Sequence, residues 1–72
     1  MNENWNKSHN PLMLSKVFTD PNGRKILFEV ALADISTNLN IDLDELAHNA
    51  LKKKHQERVE KYRFTGSHFE PE

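Results

Sequence analysis

The sequence predicts a small all-α fold: an antiparallel helical hairpin with a short N-terminal arm, completed by dimerisation. Three observations carry that expectation. Residues 40–64, NIDLDELAHNALKKKHQERVEKYRF, hold a helix start, an apolar stripe and a stop signal in one run. Phe28, Leu32, Ile35 and Leu39 recur at intervals of four, three and four, the spacing that gathers side chains on one helical face. Finally, 72 residues make one domain with a small core and no cysteine to staple it, so a second copy is the supplement that remains.

Residues 1–10 are polar except for Met1 and Trp5 and form an arm that frays unless the indole docks on the core or on a partner. In 11–19, PLMLSKVFT, Leu12, Met13, Val17 and Phe18 fit a helix, while Leu14, Lys16 and Phe18 equally fit a strand. Asp20-Pro21-Asn22-Gly23 is turn chemistry. It suits the tip of a β-hairpin joining 14–19 to 25–30, or a helix capped by Asp20 and begun by Pro21. The helix is favoured, because Ile26-Leu27-Phe28 interrupts the alternation a strand requires, and it is placed from 21 or 24 to 38. A short connection at 38–41 turns the chain back. Asp42 then caps a second helix, with Glu45 three residues on as in a capping box and Ile41 and Leu46 placed as a hydrophobic staple. Acidic residues at its start and Lys52, Lys53, Lys54, Arg58, Lys61 and Arg63 towards its end suit the helix dipole. Gly66 stops the helix near Arg63, and 65–72 is a polar, mobile tail. The domain proper is therefore 11–64.

Ten basic against eleven acidic residues leave a net charge of −1, which gives the whole chain no attraction to nucleic acid or an anionic membrane. The longest apolar run, 26–32, contains Glu29 and is too short to span a bilayer, and 1–10 has no signal-peptide pattern. Absence of cysteine fits a reducing compartment. A cytoplasmic protein with no membrane partner is expected.

Chemistry is thinly represented. Glu45 and His48 have the Glu-x-x-His spacing of di-metal bundles, yet the first helix would face them only with Glu29 and Asp34, five apart and pointing different ways. His55 interrupts the apolar stripe between Leu51 and Val59, where a buried ring would make assembly depend on pH. His9 and His68 fall in loops. The serines lack a base arrangement beyond Ser8-His9 and Ser67-His68, and Gly23 and Gly66 are too far apart for a phosphate loop. No catalytic residue, metal site or cofactor is expected.

The basic run Lys52, Lys53, Lys54 and Arg58 could meet phosphates, with Tyr62 and Phe64 stacking on bases. Glu57 and Glu60 interrupt it, and three consecutive lysines spread around a helix instead of forming a patch. A helix-turn-helix fits poorly because the second helix begins acidic. A ribbon-helix-helix dimer would put Lys25, Leu27 and Glu29 on its reading face, which wants polar or basic groups.

Residues 39–63 resemble the C-terminal part of MazG-like nucleotide pyrophosphohydrolases. Leu39-Asn40-Ile41-Asp42 is similar to the connection between two helices in that family, and Lys54, Arg58, Lys61 and Tyr62 to its basic helix end. The resemblance implies an all-α, dimeric bundle and magnesium-dependent hydrolysis of nucleoside triphosphates through E-x-x-E and E-x-x-D motifs. Neither motif is present, and the positions expected for E-x-x-D fall near Arg24 and Leu27. The resemblance thus implies shared fold without shared activity.

The functional expectation is a non-enzymatic helical interaction or regulatory protein that binds itself or a protein partner. Its interface would be Phe28, Leu32, Ile35 and Leu39 on one helix with Leu51, His55, Val59 and Tyr62 on the other. A nucleic-acid-binding regulator and a degenerate MazG-like hydrolase are the alternatives.

Overall fold

The computed structural model describes residues 5–7, 12–35, 40–53 and 59–72. It is built on a sheet, which overturns the all-α hairpin. The turn at Asp20 shows why. Asp20 Oδ1 accepts from the backbone N–H of Asn22 at 2.9 Å and of Arg24 at 2.7 Å. Its own N–H donates to Arg24 O at 2.8 Å. Gly23 takes φ +84, and its N–H donates to Asp20 O at 3.0 Å. An Asx turn closed by a left-handed glycine reverses the chain tightly, and two strands follow from it in register.

Those strands are β2 (Met13–Thr19) and β3 (Lys25–Ala31), antiparallel from Met13 opposite Ala31 to Thr19 opposite Lys25. Before them, β1 (Asn6–Lys7) pairs with β2. After them come α1 (Leu32–Ile35), α2 (Leu43–Lys52), β4 (Lys61–Phe64) and β5 (Phe69–Pro71). The five strands lie in sequence order, with β4 parallel to β3 and every other pair antiparallel. A parallel neighbour requires a crossover, and α1 and α2 lie within it.

The favoured helix over 21–38 is replaced by β3 because β3 does alternate. Ile26, Phe28 and Val30 point to one face and are buried, whereas Lys25, Leu27, Glu29 and Ala31 point to the other. Leu27 is apolar on the second face, so Ile26-Leu27-Phe28 reads as a break in alternation where none exists. The second helix starts where expected: Asp42 is the N-cap and accepts from Glu45 N–H at 3.1 Å. It ends much sooner, at the extended cap residue Lys53. Tyr62 and Phe64, expected on or just past the helix end, alternate inward from β4. The expected mobile tail carries β5, with Phe69 in the core.

One face of the sheet is thus aromatic. Phe28, on the central strand, is 0% exposed and contacts Tyr62 in a stack at 4.8 Å and Phe18 and Phe69 edge-on at 5.0 and 4.9 Å. Leu43, Ala47 and Ala50 of α2 pack into the same core, and the small side chains of the two alanines let the helix sit close. Leu46 and Leu51 pack beside them. Among the described residues no helix is long and apolar enough to cross a membrane.

Candidate interaction surface

The opposite face has no such cover among the described residues, and register assigns its rows. Val17 stands beside Leu27, and Leu27 beside Lys61. Ser15 stands beside Glu29, Glu29 beside Arg63, and Arg63 beside Glu70. Met13 belongs to this face too, since Arg63 Nη2 reaches its sulfur at 3.7 Å. Val17 is 53% exposed and Leu27 half-buried, so apolar area lies open on β2 and β3.

Charge fills the other half of the face. Lys61 Nζ lies 2.7 Å from Glu29 Oε1 and 3.5 Å from Glu72 Oε2. Arg63 Nη1 is 3.8 Å from Glu72 Oε1. Glu29 accepting from the ammonium is the main reason that the Lys61 pKa rises above 10.5. Among the described residues, Lys25, Lys61 and Arg63 on this face balance Glu29, Glu70 and Glu72.

The residues expected at an interface are placed differently. Phe28 and Tyr62 lie inside the core, stacked on each other, so the chain itself takes up their surface. Ile35, Leu51 and Val59 pack against that core, and Leu32 is half-buried in α1. Leu39 and His55 lie outside the described residues. Of the basic candidates, Lys52 and Lys53 are exposed at the end of α2, and Lys54 and Arg58 lie outside the described residues. Tyr62 and Phe64 are 2% and 3% exposed, which withdraws both rings from stacking on bases.

The residues that carry the family resemblance are divided between elements. Ile41 and Asp42 lead into α2, whereas Lys61 and Tyr62 belong to β4. Glu29 and Asp34 stand on β3 and α1, and Glu29 is engaged by Lys61. Among the described residues no three of His, Cys, Asp and Glu converge as metal ligands.

The sequence pointed to Ser67-His68 and to docking of the Trp5 indole, but not to the bonds that each makes. In the β4–β5 turn, Ser67 Oγ is 2.9 Å from His68 Nδ1, and His68 Nε2 is 3.1 Å from Glu70 Oε1. Thr65 Oγ1 also donates to His68 O at 3.0 Å. His68 and Glu70 are 48% and 59% exposed, so water screens this chain of bonds and it serves to close the turn. The second cluster joins three elements on the helix-covered side. Trp5 Nε1–H donates to Asp44 Oδ1 at 2.7 Å, and Lys16 Nζ meets Asp44 Oδ2 at 3.1 Å. Burial acts to raise the Asp44 pKa, but the bonds from Trp5 and Lys16 and the Lys16 charge outweigh it and hold the carboxyl below 3.8. Alternation in KYRF and FEP around Thr65-Gly66-Ser67-His68 was the available signal for β4 and β5.

Against known proteins, the chain matches no family model, no curated protein and no solved structure.

Proposed function

We propose that the protein is a small non-enzymatic interaction module that self-associates through the uncovered face of its sheet. The observation that supports this reading is the make-up of that face among the described residues: the exposed Val17 and half-buried Leu27 beside three cations and three anions. A two-fold contact requires one patch to complement itself, and a patch that carries both signs of charge is compatible with that. Burying Val17 and Leu27 supplies the driving force, and the ion pairs restrict the register.

The nucleic-acid and nucleotide-hydrolase alternatives gain no separate support from this face. Sedimentation velocity across the micromolar range tests the reading. A concentration-dependent dimer is expected for the native chain, shifting to monomer in Val17→Asp with the circular dichroism unchanged. A native chain that stays monomeric throughout would overturn it.

A further inference from the structure

Among the described residues, β1 pairs with the body at Asn6 with Ser15 and Lys7 with Leu14, and both arm residues are exposed. Its anchor is Trp5. The indole lies 5.8 Å from the Phe18 ring and 6.1 Å from the Phe69 ring, nearly parallel to the latter at 6°. Its N–H is taken by Asp44, which Lys16 steadies from the other oxygen. Lys16 in turn lies over Phe18, 4.9 Å from its centroid.

Every one of these partners belongs to β2, α2 or β5. The body of the fold therefore presents a cleft with aromatic walls and a carboxylate at its end, complementary to an indole and its one donor. Beside the cleft runs β2, to which an extended segment adds as a strand. This combination recognises a side chain and a strand, and it is indifferent to which chain supplies them. A second copy carries the same arm.

We infer that the Trp5 cleft is also an intermolecular site, taking the Trp5 arm of a second copy in a reciprocal exchange. Among the described residues, detaching the arm gives up the burial of Trp5, its bond to Asp44 and the pairing of Asn6 and Lys7, and the exchanged dimer regains each of them. Because the contacts are identical in both states, protein concentration against the effective concentration of the tethered arm decides between them. The exchange does not use the uncovered face, so it stands or falls apart from the self-association proposed above.

Disulfide trapping tests it in the full chain, which has no cysteine of its own. Lys7 and Leu14 are register partners whose side chains point away from the uncovered face. A face-to-face dimer would therefore not join them. Lys7→Cys chains are mixed with Leu14→Cys chains under a mild oxidant, beside a control of Lys7→Cys with Lys25→Cys. The double variant Lys7→Cys, Leu14→Cys reports arm docking within one chain.

The expected result is a covalent heterodimer that increases with concentration, a control at background, and a double variant that closes on itself when dilute. A heterodimer yield equal to the control would overturn the exchange, and so would a double variant that fails to close. Persistence of the heterodimer when both chains also carry Val17→Asp would separate the exchange from association through the face. With unsubstituted chains, an isotope-filtered contact between Trp5 of one copy and Phe69 of another is the matching observation, and its absence at millimolar concentration counts against the exchange.

Discussion

The indole of Trp5 stacks on the ring of Phe69 with centroids 6.1 Å apart, although the two residues belong to opposite ends of a five-stranded sheet. Trp5 immediately precedes the first strand, and Phe69 begins the last. Both rings belong to the buried core cluster that lies over the central strand. Phe28 sits beneath, against both Phe18 and Phe69. The contact closes the aromatic core from above.

Replacing Trp5 by Phe retains a ring in the cleft but removes the donor to Asp44. Loss of a hydrogen bond to a charged acceptor costs about 1.5–3 kcal/mol. Urea unfolding followed by circular dichroism should show a lower midpoint with an unchanged slope. An unchanged midpoint would mean that the Asp44 bond contributes nothing.

The same carboxylate sets the acid limit. Asp44 has its pKa lowered in the folded protein, so its contribution is complete above the unfolded value of 3.8 and is lost as pH falls through the lower folded one. Stability measured at successive pH values should therefore fall less steeply below pH 3.8 in Asp44→Asn than in the native chain. Equal acid slopes would contradict this assignment.

Phe28 is fully buried on the central strand, with the ring centroids of Phe18, Tyr62 and Phe69 all within 5.0 Å of its own. Phe28→Ala should cost about 3–5 kcal/mol, comparable to the whole stability of a domain this small. Phe28→Leu should leave a folded protein with a lower thermal midpoint. Cooperative melting of Phe28→Ala at the native temperature would show that this core is not what holds the fold.

At Gly23 the backbone itself is the constraint. A Cβ there would meet nothing within 4 Å, yet φ is +84. Gly23→Ala should therefore destabilise by about 1–2 kcal/mol through backbone strain alone. Gly23→Asn should cost less, because asparagine tolerates the left-handed region. Thermal denaturation of the pair distinguishes the two, and equal losses would refute the backbone explanation.

Alkaline behaviour is set from both faces of β4. Burial, with the charge of Asp20, raises the Tyr62 pKa above 10.0, and Glu29 raises that of Lys61 above 10.5. Both shifts favour the protonated group in the folded state. Their contribution is complete below the unfolded values and is lost as pH rises through the higher folded ones. Ultraviolet titration should show tyrosinate forming later than in the unfolded chain, and Lys61→Met should flatten the loss of stability above pH 10.5. Tyrosinate appearing at 10.0 in the folded chain would place Tyr62 in solvent.

How far the residues could be read depends on how local their signals are. Asp42 and Glu45 announce the start of α2 because a cap acts within one turn. Asp20 to Gly23 announce a reversal for the same reason, and the hairpin was one of two structures compatible with it. The choice between them turned on the helical spacing that starts at Phe28 and on Leu27, an apolar residue on the opposite face, which hid the alternation of a strand. Phe28, Leu32, Ile35 and Leu39 share helical spacing, yet Phe28 belongs to β3 and Leu32 to α1. Lys61 to Phe64 suffered likewise, since a parallel partner far back in the chain leaves no local mark.

By itself, then, the sequence determined the turn at Asp20, the cap at Asp42, the balanced charge and the need to bury aromatic side chains in a chain without disulfides. Tertiary structure decided that those aromatics would meet across strands instead of along helices. The rings of Trp5, Phe18, Phe28, Tyr62 and Phe69 come from segments distant in sequence, and only the register of the sheet brings them within contact. Local propensity is worth fractions of a kilocalorie per residue, whereas a buried aromatic contributes several times more, about 1.5–3 kcal/mol for a side chain such as Phe. Over 25–31 the helical spacing of Phe28 with Leu32 gives way to the burial of Ile26, Phe28 and Val30 on one face of the sheet.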